Sequence, residues 1–282
     1  MASSNITFHG QPAIELSLPE GDRAIVALHG AQVLSWTPAG GPERLYLSPE
    51  ALFDGQAAIR GGVPVCWPQF NERGPLPKHG FVRNLAWSPV PEAGDDHTVV
   101  LALRDSEATR AMWPHAFNAR IEVGLAPQSL TIGLMVENTG REAFAFTMAL
   151  HTYLRIDDID AVRLHGLGGL PYWDAVTDTH PAPLPSGAAL AIQGQTDRVY
   201  EAAPAPLTLA DGLGRLSIAQ DPVYAQTTVW NPGAELCAKL AQMPADGYRQ
   251  MLCVEAAVVD TPVRVAPGEV WAGAQKLSVV PA

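Results

Sequence analysis

Alternation of apolar and polar residues is the feature that most constrains the fold of this 282-residue chain. From Phe117 to Leu125 every second residue is apolar, and the same spacing recurs from Leu130 to Val136. A repeat of two residues is the repeat of a β-strand that buries one face. Both segments are therefore predicted to be strands with one face in a core.

Turn residues separate many further segments of strand-like composition. The chain contains 25 glycines and 25 prolines spread over its length, which is typical of short strands joined by turns. The further predicted strands are Ala24–Leu28, Gln32–Thr37, Thr98–Leu103, Phe144–Leu154, Leu216–Ala219, Thr227–Trp230, Leu252–Val259 and Gln275–Val280. One short helix is predicted over Asp105–Met112, with Asp105 or Ser106 as its N-cap. Many strands without alternating helices predict an all-β antiparallel sandwich with few short helices.

The whole chain, residues 1–282, is expected to form one domain. Its length is normal for a single large all-β unit. Hydrophobic residues make up 47% and charged residues 17%, which provides a core and carries no signature of disorder. The proline-rich segment Pro181–Gly187 is interpreted as a surface loop and not as a domain boundary.

Charge and cysteine usage restrict the partners and the compartment. The net charge of -11 argues against nucleic acid and anionic membranes as partners, and no run of about 18 apolar residues predicts a membrane span. Residues 1–5 lack the basic and apolar regions of a signal peptide. Cys66, Cys237 and Cys253 show no zinc-type spacing, so free buried thiols in a reducing, cytoplasmic setting are expected, without a metal.

Glu255 is the single residue most suggestive of chemistry. It lies in the middle of the apolar strand segment Met251–Val259, between the small residues Cys253 and Ala257 on the same face. Carboxylates are rarely buried without a partner or a purpose. Burial would raise the pKa of Glu255 towards the range of a general base, and the alternative is a structural ion pair with an arginine.

His151 is the second candidate, near the end of the predicted strand Phe144–Leu154. The large apolar residues of this strand share one face, which leaves His151 and Tyr153 on a face of small residues where a ligand could lie. The alternative is a histidine satisfied at a sheet surface. The residues of the apolar face are Phe144, Phe146, Met148 and Leu150.

Two segments, Ile59–Phe70 and Pro77–Trp87, concentrate basic residues in an acidic chain. Arginine suits phosphate because its planar fork binds two oxygens at once. An anionic substrate would need such a local basic patch, although ordinary surface cations paired with Glu72 or Asp54 are the alternative. The basic residues are Arg60, Lys78, His79 and Arg83, with Arg73 between the segments.

Other residues of these and later segments could contact a sugar. Gly61-Gly62 permits positive φ and close backbone approach. Trp67 and Phe70 offer apolar faces that could stack on a sugar ring. Asp197 could bind sugar hydroxyls or could pair with Arg198.

Six segments in order along the chain resemble the hexose-6-phosphate mutarotase family (glucose-6-phosphate 1-epimerases) of the aldose 1-epimerase superfamily. They extend from about Arg60 to Trp271, and the first two are long and specific. The resemblance implies a galactose-mutarotase-like antiparallel supersandwich with the site on a concave sheet face. The segments are IRGGVPVCWPQF, LPKHGFVRNLAW, LHTYLRI, TDRVY, MLCVEAA and PGEVW.

The resemblance also implies roles for individual residues. His151 would be the general acid and Glu255 the general base of ring opening and closure, with His151 protonated and Glu255 ionised at the start. One departure is at Gly233-Ala234, where related sequences often carry an aromatic residue, which affects the expected pocket wall. The implied substrate-binding residues are Arg60, Gln69, His79, Arg83 and Asp197.

The implied activity is α/β interconversion at the anomeric carbon of a hexose 6-phosphate. Both steps are proton transfers, so no cofactor is expected, and a small sugar phosphate is the expected partner of a monomeric protein. Alternatives are an aldose 1-epimerase acting on free hexoses and a non-catalytic carbohydrate-binding domain. A glycosidase ranks lower because it needs two carboxylates across the scissile bond.

Overall fold

The architecture is almost entirely antiparallel β-sheet. It was established from a computed structural model that describes residues 3–281. Met1, Ala2 and Ala282 lie outside the described residues. The expected domain of residues 1–282 and the expectation about residues 1–5 therefore fall partly outside them. The strands are β1 (Ser3–Phe8), β2 (Gln11–Ser17), β3 (Arg23–Ala27), β4 (Val33–Thr37), β5 (Val65–Cys66), β6 (Ser88–Pro89), β7 (Thr98–Arg104), β8 (Phe117–Ala126), β9 (Ser129–Asn138), β10 (Phe144–Leu150), β11 (Tyr153–Arg155), β12 (Arg163–His165), β13 (Tyr172–Asp174), β14 (Thr196–Glu201), β15 (Leu207–Asp211), β16 (Gly214–Gln220), β17 (Gln226–Asn231), β18 (Met251–Val265) and β19 (Val270–Val280).

Helices are few and short, as predicted. The two α-helices of the described residues are α1 (Glu107–Met112) and α2 (Gly233–Cys237). The predicted helix is confirmed as α1, and Ser106 is its N-cap through a capping box with Thr109. Neither helix has the length and hydropathy that a membrane span requires. Short 3-10 turns lie at Val82–Asn84, Pro91–Ala93 and Gly247–Gln250.

The strands form three sheets. A four-stranded sheet has the order β1-β2-β3-β4. A seven-stranded sheet has the order β13-β14-β17-β18-β10-β5, with β11 also paired to β18. An eight-stranded sheet has the order β12-β15-β16-β19-β9-β8-β7-β6. The predicted all-β antiparallel sandwich is therefore confirmed.

The seven- and eight-stranded sheets pack face to face through one hydrophobic core. In β8 and β9 the alternate apolar residues predicted to face inward are buried in this core. The predicted apolar face of β10 packs into the same core, together with Leu252, Val254, Ala256 and Val258 of β18. The opposite face of β10 and β18 is left free to form a site.

The predicted strand Phe144–Leu154 is the main departure from the sequence prediction. It is interrupted after Leu150, where the backbone N–H of Thr152 donates to the carbonyl of Leu150, 2.9 Å away, and not to a neighbouring strand. The strand resumes as β11 at Tyr153. The other predicted strands form, with bounds shifted by a few residues.

Two smaller expectations are also confirmed. Residues 181–187 form a largely exposed stretch without regular secondary structure, consistent with a surface loop. Cys66, Cys237 and Cys253 are free and buried.

Candidate active site

His151 and Glu255 face each other across the interrupted ladder between β10/β11 and β18. The flanking register continues on both sides of the interruption, so its extension places His151 opposite Glu255. Nε2 of His151 lies 3.3 Å from Oε1 of Glu255. A carboxylate and an imidazole that are distant in sequence thereby become neighbours. The flanking pairs are Leu150 with Ala256 and Tyr153 with Cys253.

This pair is buried and incompletely hydrogen-bonded. Glu255 is 1% exposed and His151 is 9% exposed. Oε2 of Glu255 and Nδ1 of His151 have no hydrogen-bond partner among the described residues. Buried polar atoms are nearly always paired in folded proteins, so unpaired ones beside a cavity indicate a ligand site.

The surroundings shift the pKa values of the pair in opposite directions. Burial, followed by the charge of Asp197, raises the pKa of Glu255 well above its ordinary value. Burial, followed by the guanidinium groups of Arg83 and Arg60, lowers the pKa of His151 to about 3. His151 is therefore neutral at neutral pH in the free site, which differs from the expected starting form, in which His151 carries the proton.

The pair lies at a cavity of about 420 Å³ that is rich in positive charge. Arg60, Lys78 and Arg83 line it, although the whole chain carries a net charge of -11. The cavity therefore provides the local basic patch that an anionic ligand would need. Its other lining residues are Phe70, Asn71, His79, Tyr153, Gln195, Asp197, Thr228, Trp230, Leu236 and Leu240.

Arg60 is held in place by the aromatic residue next to the catalytic candidates. Its Nη1 donates to the hydroxyl of Tyr153 at 3.2 Å. The ring of Tyr153 in turn stacks on that of His151, with centroids 4.8 Å apart and planes 15° apart. The geometry therefore couples the position of this guanidinium to the orientation of the imidazole.

Arg83 has N–H groups that are free to bind a ligand. One terminal nitrogen donates to the carbonyl of Lys78 at 2.9 Å, while its Nε has no partner among the described residues. Both residues belong to the 77–87 segment. The Arg83 guanidinium can thus bind an anion in the cavity without breaking an existing ion pair.

His79 enters the cavity from an unusual backbone position. Its φ is 65° and it is followed by Gly80 with a φ of 70°. The N–H of Asn71 donates to Nδ1 of His79 at 3.2 Å, which leaves Nε2 as the protonated nitrogen. Burial, followed by the neighbouring His151, lowers the pKa of His79 to about 2, so the ring is neutral. It can therefore donate one hydrogen bond to a ligand.

Asp197 also lines the cavity, and its carboxylate forms no ion pair among the described residues. The alternative of a pair with Arg198 is not realised, because Arg198 binds Asp174 at 3.3 Å. Burial raises the pKa of Asp197 to about 6. Its oxygens are available to sugar hydroxyls.

Gln69 does not line the cavity, in contrast to the expectation. It is 3% exposed, and its amide nitrogen donates to the carbonyls of Asn71 and Leu76, both at 3.0 Å. Its amide oxygen accepts from the N–H of Leu76 at 2.9 Å. Gln69 therefore supports the loop that carries Asn71 and does not offer its side chain to a ligand.

The prediction that Trp67 could stack on a sugar ring is also wrong. It is fully buried and packs edge-on against Trp113, Phe117 and Phe146 in the core, so it cannot stack on a sugar. Phe70 does line the cavity. Arg73 lies outside the lining and pairs with Asp260 at 3.0 Å.

Five lining residues carry no sequence signal that singles them out. Thr228, for example, is opposite Glu255 in the register of β17 and β18, which sequence does not disclose. Leu236 comes from α2, which begins at Gly233. Gly233 has a φ of 63°, and a Cβ there would lie 2.6 Å from the backbone nitrogen of Gln195. The five are Asn71, Gln195, Thr228, Leu236 and Leu240.

Comparisons with known proteins agree with this fold. The antiparallel sandwich has the galactose-mutarotase-like fold. The family model described as aldose 1-epimerase matches residues 12–278, and the chain belongs to that family.

Three relatives illustrate the likeness. A protein from Cenchrus ciliaris is 36% identical over 269 residues, 92% of this chain and 82% of the relative. One from Escherichia coli K12 is 39% identical over 243 residues, 83% of this chain and 79% of the relative. Both carry the provisional name glucose-6-phosphate 1-epimerase. The crystal structure of YeaD from Salmonella typhimurium, provisionally described as a mutarotase, has a TM-score of 0.87 at 32% identity and covers 100% of this chain and 94% of its own.

Proposed function

We propose that this protein interconverts the α and β anomers of a hexose 6-phosphate, most simply glucose 6-phosphate, by opening and closing the sugar ring. The observation that carries the proposal is the 3.3 Å contact between His151 and Glu255 beside a cavity lined by three cations. The provisional names of the relatives support the same substrate.

The distance between Nε2 of His151 and Oε1 of Glu255 suits the two substrate oxygens that gain and lose protons. The ring oxygen and the anomeric hydroxyl oxygen are bonded to the same carbon, so the imidazole can contact the first while the carboxylate contacts the second. Glu255 removes the proton of the hydroxyl while His151 protonates the ring oxygen, and the ring opens to the aldehyde. Rotation about the C1–C2 bond and closure with reversed roles gives the other anomer. Each positioned acid or base contributes about 100- to 10,000-fold.

Substrate binding also prepares the protonation state. The guanidinium groups of Arg60 and Arg83 contribute to the lowered pKa of His151. A bound phosphate dianion offsets that positive charge and raises the pKa of His151. The imidazole can then carry the proton that the reaction requires of the general acid.

The remaining residues divide between the two ends of the substrate. Arg60, Lys78 and Arg83 bind the phosphate by charge-assisted hydrogen bonds. His79 donates to the sugar ring, and Asp197 accepts from sugar hydroxyls. Because both chemical steps are proton transfers, the mechanism requires no cofactor.

We also propose that residues 1–282 form one domain that acts as a monomer in the cytoplasm. Supporting a single domain, the main hydrophobic core includes residues from Ile14 to Leu277. The charge of -11 and the buried free thiols are consistent with that compartment.

The test is the rate of anomer exchange after dissolving an anomerically enriched hexose 6-phosphate, followed by NMR or polarimetry. Glu255→Gln should lower the enzymatic rate by at least about 100-fold while the sugar phosphate still binds in calorimetry. Glu201→Gln, at an exposed carboxylate, is the matched control and should leave the rate unchanged. A wild-type rate for Glu255→Gln would refute the assignment, and binding without any wild-type catalysis would favour a carbohydrate-binding domain.

A further inference from the structure

A third buried side chain joins the imidazole–carboxylate pair. Cys253 and Glu255 are alternate residues of β18 and share a face of the strand. Ligand atoms of His151, Cys253 and Glu255 all lie within 4.8 Å of one another. Cys253 is fully buried. The proposed reaction uses the imidazole and the carboxylate but has no role for the thiol.

The cluster has free coordinating capacity. Oε2 of Glu255, a residue that is 1% exposed, has no hydrogen-bond partner among residues 3–281. Nδ1 of His151 is likewise unpaired. One sulfur, one imidazole nitrogen and one carboxylate oxygen are ligand types that zinc takes in proteins.

We propose that His151, Cys253 and Glu255 form an inhibitory binding site for a thiophilic divalent cation such as Zn²⁺ or Cd²⁺. Three protein ligands leave the fourth coordination position for water on the cavity side. Ligand atoms about 2.0–2.3 Å from one ion lie somewhat closer together than the 4.8 Å limit of this cluster, so small side-chain rotations complete the site.

Binding releases at least one proton, because the thiol of Cys253 must become a thiolate to bind the ion. The neighbouring Arg60 and Arg83 oppose a cation through residual repulsion, so we expect weaker binding than at structural zinc sites.

Inhibition follows from the geometry and depends on the proposed function. The ion would hold the imidazole and the carboxylate that the ring oxygen and the anomeric hydroxyl need. Metal and sugar phosphate should therefore compete. Cys253 itself is absent from the cavity lining, so removing its sulfur should weaken the metal without removing a sugar contact.

The first test uses Co²⁺ as a spectroscopic probe on the full-length protein and does not depend on catalysis. We expect a thiolate-to-cobalt charge-transfer band in the wild type and in Cys237→Ala, and its loss in Cys253→Ala. Cys237 is the matched control because it is also buried and free. No band in the wild type, or an equal band in Cys253→Ala, would overturn the proposal.

Two further experiments test the proposal if Cys253→Ala folds poorly. The first repeats the Co²⁺ measurement with Cys253→Ser. The second adds Zn²⁺ to the wild type and measures the number of protons released per bound ion. At least one proton per bound ion is expected at neutral pH, and release of none would overturn the site.

The second test concerns the rate of anomer exchange. Zn²⁺ should inhibit the wild type competitively, a chelator should restore the rate, and the inhibition constant should rise at least about 10-fold in Cys253→Ala. Equal inhibition of that variant would refute the role of the sulfur. A cobalt band without any anomer exchange would reject the proposed function and leave the metal site standing, whereas exchange without a band would reject the metal site alone.

Discussion

A Cβ carbon on Gly80 would lie 2.1 Å from the carbonyl oxygen of Trp67. Such a distance is far below any contact that real Cβ atoms make, so only glycine allows the 77–83 backbone to approach the end of β5 this closely. The N–H of Phe81 donates to the same carbonyl at 3.2 Å. This close approach places His79 in the cavity.

Gly80→Ala should therefore destabilise the fold and displace His79. The added Cβ combines the strain of a φ of 70° with a backbone clash, and together these should lower the free energy of unfolding by about 2–5 kcal/mol. Urea denaturation measures the effect. Gly187→Ala is the matched control, because Gly187 has a φ of 78° with open space around it, so only the strain of about 1 kcal/mol should appear. Equal effects at the two positions would contradict the clash.

Arg83→Ala should separate phosphorylated from free sugars. Loss of a charge-assisted hydrogen bond to phosphate should lower kcat/KM for the hexose 6-phosphate by about 10- to 100-fold. The value for the unphosphorylated hexose should change little. Steady-state rates on both substrates measure this, with Arg264→Ala at an exposed arginine of β18 as the control. Equal losses on both substrates would favour an aldose 1-epimerase that acts on free hexoses.

Anion binding should raise the pKa of His151. In the free site this pKa is lowered to about 3, so the imidazole stays neutral through the neutral range. A bound sulfate or phosphate should move it upward, because the anion offsets the charge of Arg60 and Arg83. NMR titration of the His151 ring, assigned with His151→Gln, measures both values. An unchanged pKa in the presence of a saturating anion would disprove the proposed effect of the phosphate on His151.

Asp197→Asn should stabilise the fold above pH 6. Burial raises the pKa of Asp197 from 3.8 to about 6, so the folded protein retains a proton that the unfolded chain has lost. The wild type thus loses stability as pH rises between these two values, and the asparagine variant does not. Allowing for partial exposure, the variant should gain about 2 kcal/mol relative to wild type by pH 7.

Thermal or urea unfolding at pH 4 and pH 7 tests this dependence. Asp96→Asn, at an exposed aspartate outside the cavity lining, is the control variant. The same Asp197 variant should bind the sugar more weakly, because it loses the carboxylate that accepts from hydroxyls. A gain in stability that is equal at both pH values would contradict the raised pKa.

Much of the fold could be predicted because the burial of one strand face produces a local pattern of apolar and polar residues in the sequence. The alternation in β8 and β9 reports their buried face directly, and the isolated carboxylate of Glu255 among apolar neighbours is also a local feature. Glycines 61 and 62 fulfil their prediction: both have positive φ, and a Cβ on Gly62 would lie 2.1 Å from the carbonyl of Val33.

What could not be predicted depends on long-range pairing. The direct contact of His151 with Glu255 and the position of Thr228 beside them follow from the register of three strands, which no local pattern discloses. Aromatic residues serve cores and sugar sites equally well, so sequence alone allows a ligand contact for Trp67, which is buried in the core. Gln69 follows the same motif, but its amide bonds the backbone of its own loop.

The fifteen-residue strand β18 lies between β17 and β10 and carries Glu255 on one face and core residues on the other. The proposed general base is thus anchored in the interior of a sheet, while the cationic and proposed ring-binding groups come mainly from loops. Substitutions in those loops could alter which sugar is accepted without displacing the proposed proton-transfer pair. Substrate preference in such a scaffold can therefore drift during evolution while its chemistry stays unchanged.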